Sequence, residues 1–249
     1  MKRALLVSFI RFPMLIAALL LLALVFRRSG MEVMFPFMPD VSVIYFTAVN
    51  IACFFLMGNI LRSEGRTFRE IVGFRRETAG KDVLFGLLWV FVLYLPFFAA
   101  VNGTMFILYG QDYLHHFENV FLGAEAEFPD RPPALLRFAA AVSLIFPFLN
   151  APIEEIMYRG YAQPAIMRRT KRAWYGIVIP SAGFALQHVM LAGTLQGALV
   201  FAAAFFVWGI GSGLIYHKQR RLFPLIVSHF IVNLAFSAIP IVFLVLGQA

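Results

Sequence analysis

Two adjacent glutamates stand inside an apolar stretch, where an uncompensated carboxylate is costly. They are Glu154 and Glu155, and no other acidic residue follows Pro132 in the chain. On a helix, Glu155 and Arg159 lie one turn apart and can form an ion pair, whereas Glu154 points about 100° away. One carboxylate is therefore compensated locally, and the other is available to act as a general base or general acid.

Two of the five histidines also lie inside apolar stretches. His188 ends the run Phe184-Ala-Leu-Gln-His188, and His229 begins the run His229-Phe-Ile-Val-Asn233. A helix brings His229 and Asn233 onto one face, because they are four residues apart. Together with the glutamates, these side chains offer a base, ligands for a metal and hydrogen-bond donors for a developing oxyanion.

Each of these residues also has a structural explanation. A buried histidine often serves only packing and hydrogen bonding, and a glutamate pair with a nearby arginine can be a structural ion-pair network. The distribution favours function, because nearly every strongly polar residue in the last four apolar runs belongs to one of three sets, around Glu154, His188 and His229. Polar residues inside a membrane are functional candidates by default.

The composition is that of a membrane protein. Of the 249 residues, 61% are hydrophobic and only 14% are charged, whereas soluble domains carry about 25% charged residues. The net charge of +8 does not indicate nucleic acid, because the 21 Lys and Arg residues fall in short clusters between apolar runs, as in cytoplasmic loops. The single cysteine, Cys53, excludes an intrachain disulfide.

Seven apolar runs are close to the roughly 20 residues that a helix needs to cross a bilayer. They cover residues 4–26, 41–61, 83–109, 136–160, 174–192, 196–216 and 222–247. None shows the alternation typical of a membrane β-barrel, so the backbone must satisfy its hydrogen bonds within helices. We therefore expect an all-α, polytopic membrane helix bundle of about seven transmembrane helices, with six to eight as bounds, in a single membrane domain over residues 1–249.

The connections between these runs alternate in charge. Basic residues fill the second, fourth and sixth connections, and the third is acidic, with Asp112, Glu118, Glu125, Glu127 and Asp130. The positive-inside rule then predicts a multi-pass protein of the cell membrane with a cytoplasmic N-terminus. Helical rise places the two glutamates and His229 toward the cytoplasmic side, and places His188 deeper. That difference disappears if the fifth span starts late or bends at Pro180 and Gly183.

At these residues the sequence resembles the CPBP family, which includes the type II CAAX prenyl endopeptidases and the bacteriocin-processing or abortive-infection membrane proteins. The family has three motifs, Glu-Glu-x-x-x-Arg, Phe-x-x-x-His and His-x-x-x-Asn. Their counterparts follow here in the same order, as Glu154, Glu155 and Arg159, then Phe184 and His188, then His229 and Asn233. The resemblance covers about residues 136–237, which we take as a CPBP-like protease core.

The resemblance implies a CAAX-type intramembrane endopeptidase that hydrolyses a peptide bond of a membrane-associated or lipidated protein near the cytoplasmic face. It implies that Glu154 with His188 activates the attacking water. It also implies that His229 and Asn233 stabilise the oxyanion. The implied partners are membrane lipid and a membrane-associated or lipidated substrate, such as a CAAX-box protein, and not nucleic acid.

In the same family, the counterparts of Glu155 and Arg159 support and orient the first carboxylate. The sequence leaves the role of a metal open. Glu154, His188 and His229 form a set that can hold Zn²⁺ with a water as its fourth ligand, but the zincin motif His-Glu-x-x-His is absent. A metal-free, glutamate-dependent mechanism is equally compatible with these residues.

Two other functions fit the same residues. The two glutamates with His188 and His229 form a relay of the kind used by a proton-coupled membrane transporter, although the inverted repeat that many transporters show is not evident in the sequence. A non-enzymatic immunity or scaffold protein of the membrane would keep the helical frame and bind a partner in the bilayer.

Overall fold

The computed structural model describes residues 1–122 and 131–245, and within these ranges the chain is helical and contains no β-strand. The helices are α1 Lys2–Phe9, α2 Arg11–Arg28, α3 Ser42–Ser63, α4 Phe68–Val72, α5 Ala79–Tyr109, α6 Phe117–Leu122, α7 Pro133–Glu155, α8 Gln163–Thr170, α9 Ala173–His188, α10 Leu195–Gln219 and α11 Phe223–Val245. Every predicted apolar run overlaps these helices. The all-α membrane helix bundle is therefore confirmed.

Membrane-spanning capacity is clearest for four helical stretches of the described chain. They are Pro39–Ser63, Phe68–Phe121, Pro133–Thr170 and Leu195–Gln219, judged by length and composition. The α1–α2 pair is bent by 41°, and counting it as one span brings the number to five. The other two predicted spans correspond to α9, which has 16 residues, and to α11.

Contacts between the connections define two ends of the bundle. At one end, Arg3 pairs with Glu64 at 3.5 Å, and Tyr161 donates to the same carboxylate at 2.6 Å. At the opposite end, Arg131 pairs with Asp40 at 2.7 Å. We call these the basic end and the acidic end, after the charge of their connections. Three residues of the acidic connection lie outside the described ranges, namely Glu125, Glu127 and Asp130.

The fourth predicted span is longer than the sequence indicated. The chain does not leave the helix near Gly160 but continues from α7 through a π-helical segment, Ile156–Ala162, into α8. Gly160 is a packing position rather than a helix end, because an added Cβ would lie 2.4 Å from Ile71 and 3.1 Å from Leu222. A π-helical turn inside an α-helix is often found at functional sites.

This continuation accounts for the depth of His188. Glu154 lies 16 residues before Thr170, and His188 lies 15 residues after Ala173. Both are therefore roughly 23 Å from the turn between α8 and α9. Gly160 packs beside Leu222, the residue before α11, so it lies level with the start of that helix. As a result, helix α8 and the first turn of α9 project beyond that level. The fifth span thus starts late, and α9 runs continuously to His188.

The N-terminal helices pack against the centre of the bundle. Ser8 of α1 approaches Gly183 of α9 so closely that a Cβ on Gly183 would lie 1.7 Å from the Ser8 carbonyl oxygen. Small residues permit such close contacts between membrane helices. Arg11 follows three residues later, at the start of α2, and it enters the interior with 0% of its surface exposed.

Candidate active site

Glu155, Arg159 and His229 form a buried, hydrogen-bonded group. Arg159 Nη1 donates to Glu155 Oε1 at 3.2 Å, in the ion pair that the spacing of the two residues predicts. The Nδ1 atom of His229 lies 2.9 Å from the same oxygen. All three side chains are buried. Glu155 therefore orients the imidazole ring of His229.

Glu154 is fully buried and is held at one oxygen. Its Oε1 accepts a hydrogen bond from Arg11 Nη2 at 2.8 Å. Its Oε2 lies 3.8 Å from His229 Nε2 and has no hydrogen-bond partner among the described residues. One carboxylate oxygen is thus fixed by an arginine, and the other faces the imidazole of His229.

Arg11 is a site residue that the sequence analysis missed. Its guanidinium donates to side chains of three other helices, and the acceptors are Asn50, Asn150, Glu154 and Gln187. A signal for it was present, because Arg11 is the one charged residue inside the apolar run 4–26. An arginine at a helix centre costs roughly 2.5 to 3.5 kcal/mol, so its presence indicates partners inside the protein.

His188 keeps one ring nitrogen free. Its Nδ1 lies 2.6 Å from the carbonyl oxygen of Phe184, and since that oxygen can only accept, Nδ1 carries the hydrogen. In the neutral ring, Nε2 is then unprotonated and can accept a proton. The ring stacks on Phe205 with 3.7 Å between centroids, which fixes its plane.

A cavity of about 450 Å³ reaches three of the candidate residues. His188, His229 and Asn233 line it, together with Asn150, and most of the remaining wall is aromatic and aliphatic. The Nδ2 atom of Asn233 is buried and has no hydrogen-bond partner in the described part of the chain. Glu154 does not line the cavity, and it adjoins the cavity through His229.

The cavity extends from these residues toward the acidic end of the bundle. Its walls include Ser42 at the start of α3, Phe117 in α6 and Leu191 after α9. On the side of the basic end, Met157 and Tyr158 are fully buried and close the site. The cavity therefore leads away from the basic connections.

Buried polar atoms with unused hydrogen-bonding capacity concentrate around this site. Six of the twelve such side-chain atoms found in residues 1–122 and 131–245 belong to the site or to contacts of Arg11, and they are Asn50 Nδ2, Glu154 Oε2, Glu155 Oε2, Tyr158 OH, Gln187 Nε2 and Asn233 Nδ2. Buried polar atoms usually have partners. Of these six residues, Asn233 is the one that lines the cavity.

The donor set fits Zn²⁺ poorly. Within the described ranges, no group of three or more His, Cys, Asp or Glu side chains is arranged to hold a metal ion. The two carboxylates are also matched by two guanidinium groups, Arg11 on Glu154 and Arg159 on Glu155. This balance leaves no excess negative charge to attract a divalent cation.

The comparison with protein families agrees with this geometry. Residues 136–235 match the family model described as Type II CAAX prenyl endopeptidase Rce1-like, and this match supports the resemblance carried by the three motifs. The matched segment contains all six candidate residues and runs from α7 into α11. No curated protein and no solved structure matches the chain. The matched segment thus covers less than half of the chain, and α1–α6 lie outside it.

Proposed function

We propose that this chain is an intramembrane endopeptidase that hydrolyses a peptide bond of a membrane-associated or lipidated protein. One observation carries the proposal: His188, His229 and Asn233, which come from α9 and α11, line a single cavity beside the buried glutamate pair of α7. All of them fall within the segment that matches the protease family. The rest of the chain completes the membrane frame around this core, in one membrane domain.

The first step is the activation of water by Glu154 and His188. Glu154 Oε2 has no hydrogen-bond partner among the described residues, and the Nε2 atom of neutral His188 has an available lone pair. Because Glu154 does not line the cavity, the water that it activates must lie between the carboxylate and the cavity. As the water oxygen bonds to the carbonyl carbon of the substrate, its proton passes to this pair of bases. The carbonyl double bond opens, and its electrons move to the oxygen.

His229 and Asn233 then stabilise the oxyanion. The Asn233 amide is a neutral donor that lines the cavity, and its Nδ2 has no other partner in the described residues. His229 already directs Nδ1 at Glu155, so it must carry a hydrogen on both nitrogens to donate from Nε2 as well. Donors placed in advance where charge develops are the largest contribution in many acyl-transfer enzymes.

Collapse of the tetrahedral intermediate breaks the carbon–nitrogen bond. The proton taken from water is returned to the leaving nitrogen, which departs as an amine, and the new acyl product is a carboxylic acid. Glu155 and Arg159 do not touch the substrate in this scheme. They hold the His229 ring in place, because Glu155 accepts from both the arginine and the imidazole.

The substrate class follows from the cavity. Its volume of about 450 Å³ falls in the usual range of ligand pockets, and its walls are dominated by apolar side chains such as Phe201, Phe205 and Trp208. Such a surface accepts a large apolar side chain or a lipid chain beside the scissile bond. A soluble polar peptide lacks the group that would fill it.

The orientation of the bundle determines the side from which substrate arrives. The basic end, formed by residues 1–3, 62–82, 161–175 and 216–223, holds fifteen Lys and Arg residues against four acidic ones. The positive-inside rule assigns this end, with the N-terminus, to the cytoplasm of a cell-membrane protein. The reactive residues then lie in the cytoplasmic half, but the cavity reaches them from the other half. We therefore expect the substrate to arrive from the extracytoplasmic half rather than at the cytoplasmic face.

Cysteine labelling tests this orientation. The native Cys53 is fully buried and is the only cysteine, so a single exposed serine can be replaced without background. We expect Ser29→Cys at the acidic end to react with a membrane-impermeant maleimide added to intact cells. Its matched variant, Ser63→Cys at the basic end, should react only after the membrane is permeabilised. The reverse pattern would invert the orientation.

Peptide cleavage tests the function itself. The purified protein is given quenched peptides with and without a lipid chain, and wild type is compared with Glu154→Gln, His188→Ala and His229→Ala. We expect about a 1,000-fold loss of kcat for Glu154→Gln, because general base catalysis contributes roughly 10²- to 10⁴-fold. His115→Ala, in an exposed connection, is the matched control and should cleave normally.

Two outcomes of this assay would overturn the proposal. If wild type cleaves nothing across a broad peptide library, or if the three variants cleave as fast as wild type, the chain is not this endopeptidase, and the transporter and scaffold alternatives take its place.

Adding a chelator to the same assay tests whether the activity depends on a metal. We expect activity to survive chelation, and a loss of activity that Zn²⁺ restores would show that a metal is required.

A further inference from the structure

We propose that Arg11 is a positioning residue for the Glu154 carboxylate, so that the protease core depends on the first helix pair for its geometry. This inference rests on the proposed function of the site. Arg11 lies outside residues 136–235, the segment that matches the protease family. In this proposal the first helix pair contributes to the geometry of the site as well as to the membrane bundle.

The contacts of Arg11 fix the carboxylate in one orientation. Nη2 donates to Glu154 Oε1 at 2.8 Å, and Nη1 donates to Asn50 Oδ1 at 2.8 Å. Nε donates to Gln187 Oε1, and Nη2 also approaches Asn150 Oδ1 at 3.4 Å. With acceptors on α3, α7 and α9, the planar guanidinium has no freedom to turn. Glu154 Oε1 is therefore anchored, and Oε2 is directed toward His229.

What distinguishes the Arg11–Glu154 pair is the direction of its unpartnered oxygen. The pairs Arg131–Asp40 and Arg221–Asp82 also leave one buried carboxylate oxygen without a partner in the described residues, so an unpartnered oxygen alone does not indicate a positioning role. Here the arginine takes Oε1, and Oε2 remains without a partner in the described residues, 3.8 Å from His229 Nε2. The oxygen left free is the one on the side of the candidate catalytic histidine.

Arg11 also connects the carboxylate with the cavity wall. Asn150 lines the cavity and lies one helical turn before Glu154 on α7. The same Nη2 atom that holds Glu154 approaches Asn150. A displacement of the guanidinium would therefore move the base and the nearby wall together. This is the geometry expected of a group that acts on the reaction through another residue.

The kinetic test compares Arg11→Met and Arg11→Lys with wild type. We expect Arg11→Met to lower kcat about 100-fold, the loss that a misplacement of about 1 Å can cause, while KM stays within about twofold. Arg11→Lys keeps the charge but has a single ammonium group in place of the planar guanidinium with its several N–H donors. It should recover about a tenth of the wild-type kcat. Arg28→Met, an exposed arginine on the same helix, is the control and should match wild type.

Melting temperatures of single and double variants provide a second test that does not depend on activity. Arg11→Met leaves Glu154 as a buried charge without its cation, so it should lower the melting temperature of the purified protein. The double variant Arg11→Met/Glu154→Gln should regain most of that temperature and remain inactive. Recovery of stability without recovery of kcat would show that the pair is coupled and that Glu154 is needed for the reaction.

The outcomes separate the failure of this inference from the failure of the proposed function. If Arg11→Met and Arg11→Lys cleave like wild type while Glu154→Gln does not, Arg11 is a structural residue and the protease remains. If the Arg11 variants change KM alone, with an unaltered kcat, positioning is also overturned. If wild type cleaves no peptide, the proposed function fails and the positioning role fails with it.

Discussion

The two glutamates of the site are compensated in opposite ways. Glu155 is matched by Arg159 on its own helix, four residues away. Glu154 is matched by Arg11, which lies 143 positions earlier in another helix. The difference divides the molecule into two regions. Residues 133–237 contain every group proposed to touch the substrate's reacting bond, and residues 1–122 contain the cation that pairs with Glu154, the proposed base.

The same division is visible around the cavity. The candidate reactive residues on its wall, His188, His229 and Asn233, belong to the C-terminal region. Part of the apolar wall belongs to the N-terminal region, through Phe46, Phe97 and Val101. Chemistry and shape are thus contributed by different parts of the chain. The family match covers the part with the proposed reactive groups. We therefore expect a relative with different early helices to differ in the shape of its cavity.

A substitution confined to the C-terminal region should have the largest effect. Asn233→Leu keeps the approximate volume of the side chain and removes the free donor that lines the cavity. We expect kcat to fall roughly 10²- to 10³-fold, as when one oxyanion donor is lost, with little change in KM. Cleavage of the lipidated peptide measures it.

Asn102→Leu provides the control for that variant. Asn102 lies on α5 and its amide donates to the Phe98 carbonyl of its own helix. Its replacement should leave kcat within twofold. If Asn233→Leu also keeps full activity, Asn233 does not supply the oxyanion donor. The assignment of all reactive groups to the C-terminal region then fails.

The contact between the two regions is the next target. In Gly183→Ala the new methyl group would meet the Ser8 carbonyl oxygen, so α1 must move away from α9 and carry Arg11 with it. We expect a loss of about 1 to 3 kcal/mol in the free energy of unfolding, typical of overpacking. Kinetic assays should show about a tenfold lower kcat, because misplaced groups react slowly.

Gly80→Ala is its matched variant, because nothing lies within 4 Å of the position a Cβ would take there. It should be neutral or more stable than wild type by about 0.5 to 1 kcal/mol, since alanine is favoured over glycine inside helices. Equal melting temperatures for Gly183→Ala and Gly80→Ala would mean that the α1–α9 contact adapts without cost. The two regions would then be only loosely coupled.

The smallest effect is expected from a single acceptor of Arg11. Asn50→Leu removes the oxygen that receives Nη1 but leaves Glu154, Asn150 and Gln187 in contact with the guanidinium. We expect a three- to fivefold lower kcat and a loss of about 1 to 3 kcal/mol in the free energy of unfolding, the cost of one unsatisfied buried donor. A hundredfold loss would instead mean that Asn50 has a role of its own in the reaction.

The sequence predicted what depends on local spacing. The helical runs follow from uninterrupted apolar composition, and the Glu155–Arg159 pair follows from the four-residue repeat of a helix, so composition and spacing were sufficient to predict both. The grouping of His188 with His229 needed a second source, the three motifs in order. In the structure both histidines line one cavity, while their grouping as a catalytic site and their chemical roles stay predictions.

The sequence did not predict what depends on long-range contact. Arg11 stands alone in its apolar run, and no periodicity indicates which of the later helices supplies its partners. The fourth span was predicted too short because the apolar run ends at Gly160, whereas in the structure the helix continues and Gly160 packs beside Ile71 and Leu222. Both differences come from packing between distant segments, which a single sequence encodes only indirectly.

The long separation between Arg11 and its partners has a consequence for how the protein is made. Arg11 is synthesised before all of its partners. Asn50 follows it by 39 residues, Asn150 by 139, Glu154 by 143 and Gln187 by 176. Until α7 and α9 are synthesised, the first helix pair holds an arginine that costs roughly 2.5 to 3.5 kcal/mol in lipid. The first helix pair thus gains its full set of contacts only after α7 and α9 are in place, and assembly of the site is itself the step that stabilises Arg11 in the membrane.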